Sequence, residues 1–410
     1  MAAQRRPAQQ RRRPMTRAEA QAVQERRQRQ KEKEQESREL ARGPIDLPFC
    51  LLVLLLTAIG LVMLLSASFP SAYYENDDPT AYFVRQGVFA IMGVAAMFFI
   101  SKINYQRFRG VAKPLLYVAV VLLVLVAIPG IGLVRNHARR WLGIPGTALQ
   151  FQPSEIAKLA VILYFSDSIS KKKDKMHTTR YGVVPYLVIL GVLSVLMLLE
   201  PHLSGTVLIF GTGAVLMLVG GINLAWVGAA FAGVGGVAFL MVTGVITYGQ
   251  SRIAMWKNPF IDARGDGYQL SQSLITIGSG GLWGVGLGRS RQKQLYLPEE
   301  HNDFIFAIVC EELGLIGATV IMLLFAALIL RGYWIALHAR DRFGSLLVVG
   351  VTTLIAMQTF LNIGVVTGLL PTTGISLPFF SYGGTALSIQ LAEMGIVLSV
   401  SRQMKPTKAG

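Results

Sequence analysis

Apolar runs of about twenty residues recur along this chain, and that is the length an α-helix needs to cross the hydrocarbon core of a bilayer. Ten such runs can be drawn, at 47–68, 82–101, 113–133, 153–170, 182–199, 203–220, 223–246, 304–330, 343–366 and 379–400. Of the 410 residues 52% are hydrophobic and only 15% are charged, whereas a soluble chain carries about a quarter charged residues. The pattern predicts an all-α polytopic membrane protein with about ten transmembrane helices. Two cysteines, Cys50 and Cys310, lie in or beside apolar runs. Neither a disulfide nor a thiolate metal site is expected from them.

The formal net charge of +16 is unevenly placed, so topology explains it better than nucleic-acid binding. Residues 1–43 hold thirteen Lys/Arg and six Glu and too few apolar residues for a core. With residues 1–46 taken as a basic cytoplasmic tail, the even-numbered links are cytoplasmic. These carry Lys102, Arg107, Arg109 and Lys113, then Lys171 to Lys173, Lys175 and Arg180, then Arg331, Arg340 and Arg342. The first outer loop has Glu75, Asp77 and Asp78 and no base, and the C-terminal tail 404–410 returns inside. This satisfies the positive-inside rule. One domain, 47–403, is expected, with a large outer loop at 247–303 between spans seven and eight.

Two outer segments depart from the rule. The link 134–150 holds Arg135, Arg139 and Arg140 beside Trp141, and the long loop holds Arg252, Lys257, Arg264, Arg289, Arg291 and Lys293. Anchoring to lipid headgroups is one reason for bases there; binding an anionic substrate is the other. In the long loop Ile253, Met255, Trp256 and Phe260 interleave with Arg252 and Lys257, as in an interfacial helix. Gly278, Gly280, Gly281, Gly284, Gly286 and Gly288 then punctuate an apolar stretch too short to span. Such a re-entrant segment must line protein or a watery cavity, or form a close-packed hairpin.

The ionisable residues concentrate at the mouth of the eighth span, in Glu299-Glu300-His301-Asn302-Asp303. Asp303 is placed either to cap the helix or to accept a proton from a sugar hydroxyl; with Glu300 it could hold a divalent cation. Glu155 and Lys158 stand three apart on one helix face after Gln152, Pro153 and Ser154. An unpaired charge at mid-bilayer costs about 2.5–3.5 kcal/mol on insertion scales, so these two read as a structural pair or as the lining of a polar cavity. Glu200 and His202 link spans five and six at the outer face and are candidate cavity groups. Glu311, Glu312, Gln358, Asn362, Gln390 and Glu393 are polar within spans, where interhelical hydrogen bonding is the plain role. The sequence has no Walker motif, dinucleotide fingerprint or HExxH. Chemistry is therefore expected at the outer face or in the bilayer, on a donor that carries its own leaving group.

Several motifs occur in order: Arg140-Trp141-Leu142, Phe151-Gln152-Pro153-Ser154-Glu155, Glu200-Pro201-His202-Leu203-Ser204-Gly205-Thr206, Gly267-Tyr268-Gln269 with Gln272-Ser273, Gly278-Ser279-Gly280-Gly281, Leu297 to Phe306, Glu311-Glu312-Leu313-Gly314 and Pro371 to Gly384 with Ser381. With them, residues from about 47 to 403 resemble the SEDS family (shape, elongation, division and sporulation). Gln269 to Leu274 and Ser290-Arg291-Gln292-Lys293 look like its division and sporulation branch (FtsW and SpoVE) more than RodA. Asn302 stands where the commoner family form has Thr.

The resemblance implies a SEDS-type fold and a peptidoglycan glycosyltransferase that polymerises lipid II onto a growing glycan strand outside a bacterial cytoplasmic membrane, with both termini cytoplasmic. It implies a class B penicillin-binding protein and other division proteins as partners, a site at the division septum or in sporulation, and no nucleic acid. Asp303 takes the place of the family's essential acid, with Glu300 and His301 beside it; Glu155 and Lys158 match its intramembrane pair. Glu155, Lys158, Arg139, Arg140, Gln152, Ser154, Glu200, His202, Gln269, Gln272, Arg291, Lys293 and Ser381 are the expected substrate-binding set. No obligatory cofactor is expected; a divalent cation, Mg2+ or Mn2+, could bridge the acids and the pyrophosphate. A lipid II flippase is the alternative, motivated by the charges inside a span, though no convincing inverted repeat is visible; a non-catalytic division scaffold is a third reading.

Overall fold

The computed structural model describes residues 43–135, 138–143, 150–200, 202–223 and 250–404, with isolated positions at 24, 28, 225, 226, 228 and 229. Most of the expected seventh span and nearly all of both tails lie outside the described residues.

Helices occupy the other nine expected spans. In chain order these are α1 (Leu47–Asn76), α2 (Ala81–Ser101), α3 (Phe108–Ala127), α4 (Pro153–Lys172), α5 (Val184–Leu199) and α6 (Leu203–Val219). After the short helices α7 (Gln250–Lys257) and α8 (Tyr268–Gly280) of the long loop come α9 (Ile305–His338), α10 (Arg342–Val366) and α11 (Gly384–Ser401). Among the described residues, seven helices are long and apolar enough to cross a membrane, and α6 is apolar but shorter. The missing one is α4, whose charges lower its hydropathy. It survives because its neighbours bury it: Ser154, Glu155, Lys158 and Ser166 are all enclosed, with α3, α6 and α10 packed around it.

Boundaries moved where local chemistry overrode hydropathy. α1 runs past its apolar stretch through Pro70 and ends on Asp77, at φ 54°, so that Ser71 and Glu75 stand beyond the apolar part. The third span stops at Ala127, and the residues beyond it form a small antiparallel sheet of β1 (Leu133–Arg135), β2 (Ala138–Gly143) and β3 (Gln150–Phe151), with Val134 opposite Arg139 and Leu142 opposite Phe151. The described part of the arginine-bearing link is thus a folded ribbon packed against α3 and α4.

α9 is continuous in the sequence pattern but broken in space. At Gly314, φ is 67° and ψ is −173°, a conformation essentially restricted to glycine. The carbonyls orphaned before the break are taken by the glycine-rich segment: Val285 N–H donates to Glu311 O at 2.9 Å, and Gly286 N–H to Glu312 O at 3.0 Å. In return Leu315 N–H donates to Gly281 O at 2.9 Å and Ile316 N–H to Leu282 O at 3.2 Å. The segment after α8 is therefore re-entrant and lies in the break, and these four bonds take up backbone groups that lipid could not satisfy.

At the opposite end of α9 an ionic layer ties the helices together. Arg331 pairs with Asp46 at 2.7 Å, and Arg109 with Asp167 at 3.0 Å and Asp341 at 3.3 Å. Hydrogen bonds from Gly344 N–H, Gln106 and Tyr105, with the Arg109 charge, hold the Asp341 carboxyl below the usual carboxylate range despite its burial.

Candidate active site

Asp303 does not cap α9. The helix begins after Phe304 without a side-chain cap, so the carboxylate is left for other work. Its main chain is fixed from three sides. Asn362 of α10 donates to Asp303 O and to Ile375 O, both at 2.7 Å, which clamps the loop before α9 to the loop before α11. Ser381 Oγ donates to Asn302 O at 2.7 Å, and Tyr382 N–H to His301 O at 2.9 Å. A tight turn completes the frame, with Glu299 at φ 58° and Phe304 N–H donating to Glu299 O at 3.2 Å.

Held this way, the Asp303 side chain lines a cavity of about 260 Å³ with Asp266, Gln269, Phe304, Thr372, Thr373 and Gly374. Gly374 lets the carboxylate approach closely, since a Cβ there would stand 3.0 Å from Asp303 Oδ2. Burial pushes the Asp303 carboxyl up to about 7, and the Glu299 charge adds to the rise, against the pull of Arg140 and His301. A carboxyl poised there can take a proton near neutral pH and release it again.

Arg140 connects this cavity to a second polar tract. From β2 its Nε donates to Glu200 O at 3.3 Å, and its charge acts on Glu200, His202 and Asp303 alike. Glu200 is almost fully buried, and neither carboxyl oxygen has a hydrogen-bond partner among the described residues. Burial raises it to about 8, with Arg140 opposing. Burial also pushes His202 down to about 3, helped by the Arg140 and Lys158 charges, so its ring is neutral. Its Nε2 meets Gln152 Nε2 at 3.3 Å and Ser154 Oγ at 3.5 Å. One turn deeper Lys158 Nζ pairs with Glu155 at 2.7 Å, and Glu393 of α11 lies within electrostatic reach of both. The expected i,i+3 pair is formed, and it faces a third acid that the spacing did not point to.

A profile of the cell cycle protein family FtsW/RodA/SpoVE matches residues 47–406. The chain belongs to that family. It is 46% identical over 359 residues to stage V sporulation protein E of Bacillus subtilis, covering 87% of this chain and 97% of that one. It is 43% identical over 364 residues to the probable peptidoglycan glycosyltransferase FtsW of Geobacter metallireducens, covering 88% and 96%. Among solved structures, a chain of a peptidoglycan synthase complex that coordinates polymerization and crosslinking superposes with a TM-score of 0.72 at 28% identity, covering 88% of this chain and 98% of that chain. Rod shape determining protein RodA of Thermus thermophilus gives 0.66 at 26% identity, covering 89% and 99%.

Within this FtsW/RodA/SpoVE chain, Asp303 and Gln269 share the cavity, and Arg140, Glu200, His202, Gln152, Ser154, Lys158 and Glu155 form the adjoining tract. The remaining expected site residues are placed elsewhere. Glu300 turns away from the cavity to accept from Ser71 of α1, with His301 Nδ1 at 3.5 Å. His301 stacks on Tyr82 with ring centroids 4.8 Å apart. Arg139 reaches back to Ala127 O at 3.3 Å. Gln272 lies three residues further along α8 from Gln269, where its carbonyl accepts from Thr276. Ser381 braces its own loop, accepting from Leu377 N–H at 2.7 Å. Arg291 is exposed, and Lys293 is buried against Glu312 at 2.9 Å. Asp266, Thr372 and Thr373 were not among the expected site residues. The only sequence signal for them is their position beside the Gly267-Tyr268-Gln269 and Pro371-Thr372-Thr373-Gly374 motifs.

Proposed function

We propose that this protein is a peptidoglycan glycosyltransferase that polymerises lipid II at the outer face of the cytoplasmic membrane. The observation that carries the reading is the Asp303 carboxylate, uncapped, raised to about 7 and set in an open polar cavity within reach of the Arg140 charge. The name of the Geobacter metallireducens relative, a probable peptidoglycan glycosyltransferase, points the same way. Asp303 takes the proton from the acceptor sugar 4-hydroxyl as that oxygen attacks C1 of the donor. The C1–O bond to pyrophosphate breaks, and undecaprenyl pyrophosphate leaves with the electron pair. Direct displacement inverts the α-linked donor to a β-linked glycan and needs no carboxylate nucleophile. Arg140 receives the charge that develops on the leaving group.

Among the described residues no cluster of three or more His, Cys, Asp or Glu is placed to hold a metal, and Glu300 does not share the cavity with Asp303. Mg2+ needs only one or two carboxylates when phosphates complete its shell, and Asp266 fits that role on the cavity wall. Such an ion, Mg2+ or Mn2+, would neutralise pyrophosphate charge. We further read 47–403 as one ten-span membrane domain flanked by cytoplasmic tails, acting at the septum or in sporulation. Its partner is a class B penicillin-binding protein that crosslinks the strands.

The test is polymerisation of purified lipid II by the protein with a co-purified transpeptidase, with and without Mg2+. Asp303→Ala should abolish product while retaining a monodisperse folded peak; polymer at the normal rate from that variant refutes the base role. The buried Glu155–Lys158–Glu393 group favours a second reading, lipid II translocation. Flipping in reconstituted vesicles that proceeds unchanged in Asp303→Ala, without polymerisation by the parent protein, would support it instead.

A further inference from the structure

Just before the break in α9, Glu311 and Glu312 stand side by side, both buried. Their carbonyls hold Val285 and Gly286, and their carboxylates hold the next part of the same loop. Glu311 accepts from Ser290 Oγ and from Arg291 N–H, the latter at 3.1 Å. Glu312 accepts from Ser290 N–H at 3.3 Å, from Lys293 Nζ at 2.9 Å and from Ser66 Oγ of α1 at 2.7 Å. Lys293 also donates to Ser66 Oγ at 3.0 Å. Side-chain exposure is 5% for Lys293 and 0% for Glu312, too little for either to meet a soluble sugar or a pyrophosphate.

The physical consequence is conditional stability. A buried ammonium is tolerated only with its counter-charge, and this pair exists only while the re-entrant segment lies in the break. The break is nine residues below Ile305, or about 13 Å along the helix, well inside a half-bilayer of about 15 Å. Unseating would put main-chain donors and acceptors, as well as both charges, into hydrocarbon. From Lys293 the chain rises through the fully buried Leu297 to Glu300, which engages Ser71 on the same helix that supplies Ser66, and reaches Asp303 three residues later. α1 therefore carries two serines that fix the height of this loop.

We propose that Lys293, Glu312 and Ser66 form a buried latch that seats the re-entrant segment in the break of α9 and thereby positions the loop ending at Asp303. Lys293 and Glu312 are positioning residues, not groups that touch substrate. The proposal rests on Asp303 being the base, but the seating itself has a separate readout. Trp283 is 81% exposed at the turn of the segment, beside the Leu315 and Ile316 contacts, so seating holds its indole at acyl-chain depth.

The experiment reconstitutes the full chain with its transpeptidase in vesicles containing brominated lipid. It reads Trp283 quenching, as the difference from Trp283→Phe, together with lipid II polymerisation kinetics. Lys293→Met should lower kcat about tenfold or more with KM within about threefold, and should reduce Trp283 quenching. Lys293→Met/Glu312→Gln, which removes both charges and keeps neutral hydrogen bonding, should recover both readouts. A raised KM with kcat and quenching unchanged would assign Lys293 to substrate and overturn the latch, as would no change in either readout. If the single variant fails to fold, the double variant decides: folded and active supports the latch, and inactive with normal quenching overturns it. Asp303→Ala should lose activity with quenching intact. Activity in that variant would remove the base reading, while the Trp283 signal would still decide the seating.

Discussion

Replacing Gly314 with alanine separates two opposite expectations. If α9 were an ordinary helix, Gly→Ala in its interior would stabilise it by about 1 kcal/mol. In the structure Gly314 lies at φ 67° and ψ −173°, a region whose occupation by a side-chain-bearing residue costs about 1–3 kcal/mol. A Cβ there would also run into Gly284 N and stand 2.5 Å from Leu282 O, which are backbone atoms that cannot rotate away. Overpacking of that kind adds about 1–3 kcal/mol. The two terms together predict a loss of about 2–6 kcal/mol, with the opposite sign to the helix expectation. Gly191→Ala on α5, where nothing lies within 4 Å of the new Cβ, is the matched control and should be neutral or slightly stabilising. The assay is thermal unfolding in one detergent, followed by tryptophan fluorescence and by loss of the monodisperse peak. A Gly314→Ala protein that melts at or above the parent temperature would refute both the break and the seating of the segment within it.

Other perturbations follow from the same geometry. With Asp303 at about 7 and required as its anion, kcat/KM for polymerisation should fall about tenfold per pH unit below that value; an acid limb near the ordinary carboxylate range would contradict the raised value. Lys158→Met leaves Glu155 buried beside Glu393 and should cost about 3–5 kcal/mol. Lys158→Met/Glu155→Gln should regain most of that in a denaturation series, and a double variant no better than the single would argue against a stabilising pair. Glu200 is raised from 4.5 to about 8. Its neutral form therefore favours the folded state, and that advantage fades as pH climbs from about 4.5 to 8. Glu200→Gln should match the parent melting temperature at pH 4 and exceed it increasingly up to pH 8, whereas a constant offset across that range would rule out titration as the cause.

The substitutions that discriminate best sit where hydropathy gave no warning. Gly314 falls inside a 27-residue expected span, 304–330, and its neighbours Glu311 and Glu312 looked like polar groups facing other helices. Nothing local distinguishes a glycine that packs from one that breaks the helix; the difference lies in Gly281 to Gly286, thirty residues earlier, which supply the missing hydrogen-bond partners. Lys293 illustrates the converse. A basic residue in an outer loop looks like an anion-binding group until the fold closes Ser66 and Glu312 around it. Glu300 and His301, adjacent to Asp303 along the chain, face α1 and α2, because one tight turn at Glu299 points successive side chains to different neighbours.

Read without coordinates, the chain already determined the membrane class, the places where nine helices would form and the Glu155–Lys158 pair. These properties are set by transfer free energy and by spacing along a helix, both of which are local. Only the tertiary structure decided which polar groups share a space: Asp303 with Asp266, Gln269 and Thr372, Arg140 with Glu200 and His202, and Lys293 with Glu312. Such groupings depend on hydrogen bonds and ion pairs between segments far apart in sequence, made where burial leaves a polar atom no alternative partner.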